Sequence, residues 1–329
     1  MTSAHVQRLA PPALLLLLIA ALAAVPLRAT DFHLFQFTNI LVYALALTGL
    51  NLLVGYNGQI SLGHGAFYAV GAFGTALLVE HAGVPHWLAL PAGAVIAGLV
   101  GWAFSLPVLK LQTMHLAMAT FAIGAALPTL AKWRPIEPWT GGTQGLPITQ
   151  IDVPFGLPLR LDQWLYLLSL GTLVLAFWLT RNLLRGRIGR AVIAIRDHPI
   201  AARTMGIDTV RYKAAVFGLS ALLVGLAGGL SALAMRYAAP GMYGLFLSFG
   251  LLIGIALGGL GTLSGALYGA VCLQGIFLVV GKSAGALHTR NTPLVYGVVL
   301  VLFLVLFPNG IAGLLRSAAA WWRRWRGRG

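Results

Sequence analysis

Of the 329 residues, 59% are hydrophobic and 9% charged, and the formal net charge is +15. A water-soluble domain carries about 25% charged residues, so this composition excludes a soluble enzyme and points to a chain made of membrane spans. The basic excess does not indicate nucleic acid. Under the topology derived below, 15 Lys/Arg and 2 Asp fall on one side of the membrane and 7 Lys/Arg and 5 Asp/Glu on the other, which is the positive-inside pattern with attraction to anionic lipid headgroups.

Apolar runs of suitable length predict about ten spans, near 11–27, 37–54, 61–79, 87–109, 114–130, 164–180, 214–235, 245–257, 263–280 and 292–306. The first, behind Arg8, also has the basic start and small residues of a signal peptide. A retained helix is expected, because the next span begins close behind it and the parity then closes. The junction of the second and third spans reads GYNGQISLGHGAFYAVGAF, with Asn57, Gln59, Ser61 and His64 among glycines at the membrane boundary. Such polar side chains either line or gate a solute path, where glycines permit unwound backbone, or cap helix ends in a tight turn.

After the fifth span comes a Pro-, Gly- and Trp-rich excursion containing TGGTQGLP. Thr140, Gly141, Gly142 and Gly145 there form either a contact for a soluble solute-delivering protein or a connecting loop beside an interfacial aromatic belt of Trp133 and Trp139. The sixth span ends at a polar island, 181–213, with eight Lys/Arg against two Asp. No segment of that charge sits in lipid, so it is a cytoplasmic loop. Its pattern is short helix, turn, short helix, with small residues at Ala201, Ala202 and Gly206 after Pro199. That elbow suits docking into a cleft of another protein, with Arg190, Arg196 and Arg203 facing acidic rims. The basic C-terminal tail, 316–329, is also expected inside. Four spans separate loop from tail, so both termini are cytoplasmic.

The single cysteine, Cys272, lies in an apolar run and reads as a small packed hydrophobe. The strings at 55–67 and 258–269 share a G-x-x-S…G-A-x-Y echo, which internal duplication and the sheer abundance of Gly and Ala explain equally well. Asp31, Glu80, Glu137, Asp152 and Asp162 all lie near span ends or in outer loops, so the spans hold no carboxylate relay of the kind an ion- or proton-coupled carrier uses. GKSAG at 281–285 lacks the upstream glycine of a phosphate-binding loop. A lipid-modifying membrane enzyme would need an acid partner near Ser61, His64 or His115, and none is near in sequence. Free energy for any pumping is therefore expected from a partner ATPase, for which the elbow is the obvious docking place, the alternative being a basic loop that merely faces the lipid surface.

In family order, GYNGQISLGHGAFYAVGAF, TGGTQGLP, RIGRAVIAIRDHPIAARTMGIDTVRYKAAVFGLSALLVGLAGGL, LGGLGTLSGALYGA and LVYGVVLVLFLVLFPNGIAGLL resemble the inner-membrane permeases of branched-chain amino acid ABC importers, M type. The resemblance runs over 55–315. It implies an all-α ABC importer permease fold, a single transmembrane domain over 1–329, in the bacterial inner membrane. It also implies a heterodimer with a second homologous permease subunit, two cytoplasmic ATPase subunits and a periplasmic solute-binding protein. No cofactor is bound directly; ATP acts through the partner ATPases. The coupling element would lie around Gly189, Arg190, Arg196, Asp197, Ala201, Ala202 and Gly206. Relatives commonly carry Glu near the position of Arg203, so the charge is reversed here. Leu, Ile and Val are the implied solutes, with urea or another amino acid as the alternative within the same importer class.

Overall fold

The computed structural model describes residues 12–109, 113–156, 158–286, 297–298, 302, 305, 310–314 and 317. Pro11, most of the tenth expected span at 292–306, most of the motif at 294–315 and nearly all of the tail at 316–329 lie outside the described residues.

Through residue 286 the chain is helical at almost every point the hydropathy marks. Helices α1 (Pro12–Ala24) and α2 (Asp31–Asn51) come first, and α2 runs on into a π-helical turn (Leu52–Tyr56). Then follow α3 (His64–Glu80), α4 (His86–Val108), α5 (Thr113–Leu130) and the single turn α6 (Glu137–Thr140). Next are α7 (Leu161–Arg185), α8 (Arg187–Asp197), α9 (Pro199–Thr204), α10 (Thr209–Met235), α11 (Leu245–Gly258) and α12 (Leu263–Ala286). A two-residue antiparallel ribbon pairs β1 (Leu146–Pro147) with β2 (Tyr237–Ala238). Among the described residues, five helical stretches are long and apolar enough to cross a membrane: Asp31–Tyr56, His86–Val108, Leu161–Arg185, Thr209–Met235 and Pro240–Gly258.

Where helix and apolar run differ, the reason is local. α7 continues past Thr180 to Arg185, because hydropathy stops at the first charges while the backbone ladder does not, and Gly186 ends it in an extended conformation. α10 begins at Thr209, ahead of the apolar run at 214, because the Asp208 carboxylate accepts from the amides of Val210 and Arg211. α3 begins three residues later than expected, because 57–63 is not helical.

α2 and α10 form the centre of the bundle, with 78% and 83% of their most apolar windows buried, whereas α7 has 28%. α10 packs against α4, α3 and α2; α2 also packs against α7 and α12, and α11 against α12. α3 and α10 touch backbone to backbone, since a Cβ on Gly71 would stand only 2.0 Å from the carbonyl oxygen of Gly225. Such contact lets dispersion act between helices where lipid offers no hydrophobic drive. The outer face of α7 shows Leu175, Trp178 and Leu179, as a lipid-facing surface requires.

The elements group at two ends. At one, Arg160 pairs with Asp31 at 2.7 Å, Gln163 donates to the carbonyl of Pro26, and the ribbon joins the loops around 147 and 237. α7 and α10 run from there to the other end, where α8 and α9 form the elbow between them.

Candidate functional site

At the elbow end the chain passes from α- to π-helical geometry at Leu52 and leaves helical geometry after Tyr56. After the π-helical turn, residues 57–63 are irregular, with Gly58 at φ +70°; Asn57, Gln59, Ser61 and Gly63 are buried and Gly58 and Ile60 exposed. Buried irregular backbone needs hydrogen-bond partners from elsewhere in the chain. Gln59 N–H donates to the Leu53 carbonyl at 3.2 Å, and Leu62 N–H to Thr120 Oγ1 of α5 at 3.1 Å. The Gly55 carbonyl accepts from Arg196 Nη1 of α8 at 2.8 Å. Gly65 N–H, in the first turn of α3, donates to Ser248 Oγ of α11 at 2.9 Å.

The junction of α11 and α12 meets this segment directly. The Asn51 side chain works as a two-way clamp: Nδ2 donates to the Thr262 carbonyl at 2.7 Å, and Oδ1 accepts from Gly261 N–H at 3.0 Å. Gly55 sits so close that a Cβ would fall 2.4 Å from the Gly261 nitrogen, so no side chain fits there. The two strings with the G-x-x-S echo are therefore in contact in space.

His64 is fully buried at the start of α3, and its ring joins three elements. Ser220 Oγ of α10 donates to the Gly49 carbonyl of α2 at 2.6 Å, so its lone pair faces His64 Nε2 at 2.9 Å. The proton of the imidazole is thereby assigned to Nε2, leaving Nδ1 to accept from Ser61 Oγ at 2.7 Å. Phe67 and Phe217 pack on the ring at centroid distances of 5.4 Å each. Among the residues expected to line a path, His64 and Ser61 are thus occupied in holding α2, α3 and α10 together.

Asn57 and Gln59 differ. Each is 2% exposed, and both polar atoms of each amide lack a hydrogen-bond partner among the described residues. An unpaired buried amide costs about 1–3 kcal/mol. Four such atoms within three residues stand out in a structure where Ser61, His64, Ser220, Ser248 and Thr120 are all paired. Near the middle of α3 the Tyr243 hydroxyl is likewise unpartnered, its ring against Tyr68 and Phe73.

The elbow sorts the expected docking residues. Arg190, Asp197, Ala201 and Gly206 are exposed. Gly189 and Ala202 are buried: a Cβ on Gly189 would stand 2.2 Å from the Leu184 carbonyl, so the tight α7–α8 turn needs a glycine there. Arg196 and Arg203 are exposed too, but each is tied within the chain: Arg196 Nη1 donates to the Gly55 carbonyl and Arg203 Nε to Thr209 Oγ1 at 2.9 Å. The apolar side of α8 places Val192 in one cluster with Leu52, Leu53 and Phe217. Ile200 and Met205, which the motif pattern passed over, are 80% and 83% exposed.

At the ribbon end, the expected contact residues for a solute-delivering protein mostly face inward. Thr140 is buried and its hydroxyl donates to the Ala131 carbonyl at 2.6 Å; it also accepts from Gly142 N–H at 3.3 Å. Gly142 and Gly145 are buried and Gly141 half-buried. Gly145 has φ +78°, and a Cβ there would approach the Ala238 carbonyl to 2.7 Å. The turn folds back to form the ribbon, and the exposed residues around it include Trp133, Trp139, Thr143 and Gln144. Beside it, Thr149 donates its N–H and hydroxyl to the Glu80 carboxylate at 3.0 and 2.8 Å.

Asn51, Thr120, Ser220, Ser248 and Thr262 were not singled out from sequence. Their signal was weak but present, since each is a polar residue inside or at the edge of an apolar run.

Residues 33–304 match the family described as the branched-chain amino acid transport system / permease component. The high-affinity branched-chain amino acid transport system permease protein LivM of Escherichia coli (strain K12) is 32% identical over 85% of this chain and 69% of its own length. LivH, a permease protein of the same named system in Salmonella typhimurium, is 25% identical over 82% of this chain and 91% of its own. Among solved structures, PsaBC from Streptococcus pneumoniae in complex with Fab overlays with a TM-score of 0.45 and 13% identity, over 88% of this chain and 95% of that one, a likeness too loose to carry an argument.

Proposed function

The chain belongs to the branched-chain amino acid transport permease family, and from that membership we propose that it is one of two permease subunits in an ATP-driven importer of leucine, isoleucine and valine. It is a membrane permease subunit and not an enzyme; nucleotide is hydrolysed by two partner ATPases on the cytoplasmic face of the bacterial inner membrane. The elbow end faces the cytosol and the ribbon end the periplasm, where a solute-binding protein delivers cargo.

The observation that supports ATPase docking is the elbow surface. Ile200 and Met205 stand 80% and 83% exposed on a charged segment that cannot enter lipid, so their apolar surface has no membrane to cover it. Ala201 and Gly206 beside them keep that surface low enough to enter a cleft. ATP-driven closure of the partners displaces the elbow, and the helices around the α2–α3 junction shift between outward and inward access. Asn57 and Gln59 contribute the polar atoms of the path or its gate: in one access state they are buried and unpaired, and in the other they face water or solute.

Reconstitution with the second permease, the two ATPases and the binding protein tests this reading. Uptake of labelled leucine, isoleucine and valine should require ATP inside the vesicle's ATPase-facing compartment and persist with an uncoupler. Uptake that continues without the ATPases would remove the proposal, and uptake of urea alone would move the solute class. Ile200→Asp with Met205→Asp should abolish ATPase co-purification while leaving membrane insertion intact.

A further inference from the structure

The elbow arginines differ in what they hold. Arg190 Nη1 reaches the Arg185 carbonyl at 3.4 Å, Arg203 Nε reaches Thr209 Oγ1 at 2.9 Å, and Arg211 pairs with Asp208 at 3.0 Å, all within the elbow. Arg196 reaches out of it, 141 residues along the chain, to the Gly55 carbonyl at 2.8 Å. Its guanidinium is oriented from behind by Asp197, whose Oδ1 accepts from Nε and Nη2 at 2.9 Å each. Its aliphatic stem lies over Gly58, where a Cβ would come 2.8 Å from Arg196 Cγ; a Cβ on Gly261 would stand 3.6 Å from Nη1. One side chain thus lies against both junctions, α2–α3 and α11–α12, that Asn51 clamps to each other.

We propose that Arg196 is a positioning residue that transmits displacement of the elbow to these two junctions, acting inside the chain and not on the rim of an ATPase. Val192 seats α8 on Leu52 and Leu53, but an apolar contact can slide, whereas a charge-assisted hydrogen bond to a carbonyl in the π-helical turn is directional. Moving α8 therefore pulls Gly55, and with it the segment that carries Asn57 and Gln59. A second variant isolates the tie without touching the elbow: Gly58→Ala places a methyl against the Arg196 stem at a residue with φ +70°.

The inference rests on the importer reading, and the experiment separates the two. The full complex is prepared with Cys272→Ser and spin labels on cysteines at Ile60 and Leu99, both exposed. The label separation is measured with and without ATP, alongside ATP hydrolysis and leucine uptake. The expected result is an ATP-dependent shift that Arg196→Leu and Gly58→Ala abolish. Hydrolysis stays within about twofold and uptake per ATP falls at least tenfold, with Arg196→Lys restoring part of both. If wild type shifts with ATP but carries no leucine, the solute assignment fails while the transmission inference stands. A shift that persists in Arg196→Leu overturns the inference, as does an unlabelled-like static wild type. Loss of the ATPases from Arg196→Leu overturns it too, because Arg196 would then belong to the docking contact.

Discussion

Two glycine-rich turns of this chain, 55–64 at the elbow end and 140–147 at the ribbon end, are built from the same kinds of residue and do opposite things with them. In the outer turn the hydroxyl of Thr140 is satisfied by Ala131 and Gly142, and the chain goes straight on into a ribbon with 237–238. In the inner segment Ser61 and His64 are paired, yet all four amide atoms of Asn57 and Gln59 are left over. Composition alone does not tell the two turns apart; hydrogen-bond accounting does. Four unpaired buried amide atoms cost the 55–64 segment stability that the ribbon-end turn does not give up.

That contrast breaks most readily at Gly145. A valine there combines a positive φ with a contact near 2.7 Å to the Ala238 carbonyl, and should cost several kcal/mol, about the size of the large backbone effects. Little folded protein should be recovered from membranes, whatever its transport competence; normal yield would deny the turn its structural role.

Next in size, and opposite in sign, are Asn57→Leu and Gln59→Met. Removing an unpaired buried amide should raise thermal midpoints, by the equivalent of about 1–3 kcal/mol, while uptake falls. Variants that lose stability would mean the amides are paired in the resting protein. Thr140→Val should lower stability by about 1–2 kcal/mol through the stranded Ala131 carbonyl, with uptake per folded molecule unchanged. A drop in uptake at constant fold would return Thr140 to the solute-delivery surface. The smallest effect expected is Glu80→Gln, which weakens one exposed hydrogen-bond pair to Thr149 and should change the midpoint by about 0.5 kcal/mol or less in equivalent free energy. A larger change would show that the ribbon end is held chiefly there.

The elbow shows how far sequence reading reached. Its helix–turn–helix form follows from Pro199, the basic face and the length of the polar island, and it is present as α8 and α9. Which of its residues point outward does not follow. Gly189 and Ala202 fit the docking pattern by type but serve internal turns and packing, while Ile200 and Met205 carry the exposed apolar surface. The G-x-x-S echo between 55–67 and 258–269 could not be told from chance in a Gly- and Ala-rich chain, yet the Asn51 clamp brings the two strings together.

Partitioning into hydrocarbon depends on local composition alone, so the chain's residues, taken in order, sufficed to place most of the helices described through residue 286 and the basic helix–turn–helix between α7 and α10. Pairing depends on neighbours 141, 156 and 211 positions away, as with Arg196 to Gly55, His64 to Ser220 and Asn51 to Thr262. Only the packed bundle decides which polar atoms those long-range partners reach and which, like the amides of Asn57 and Gln59, they leave without one.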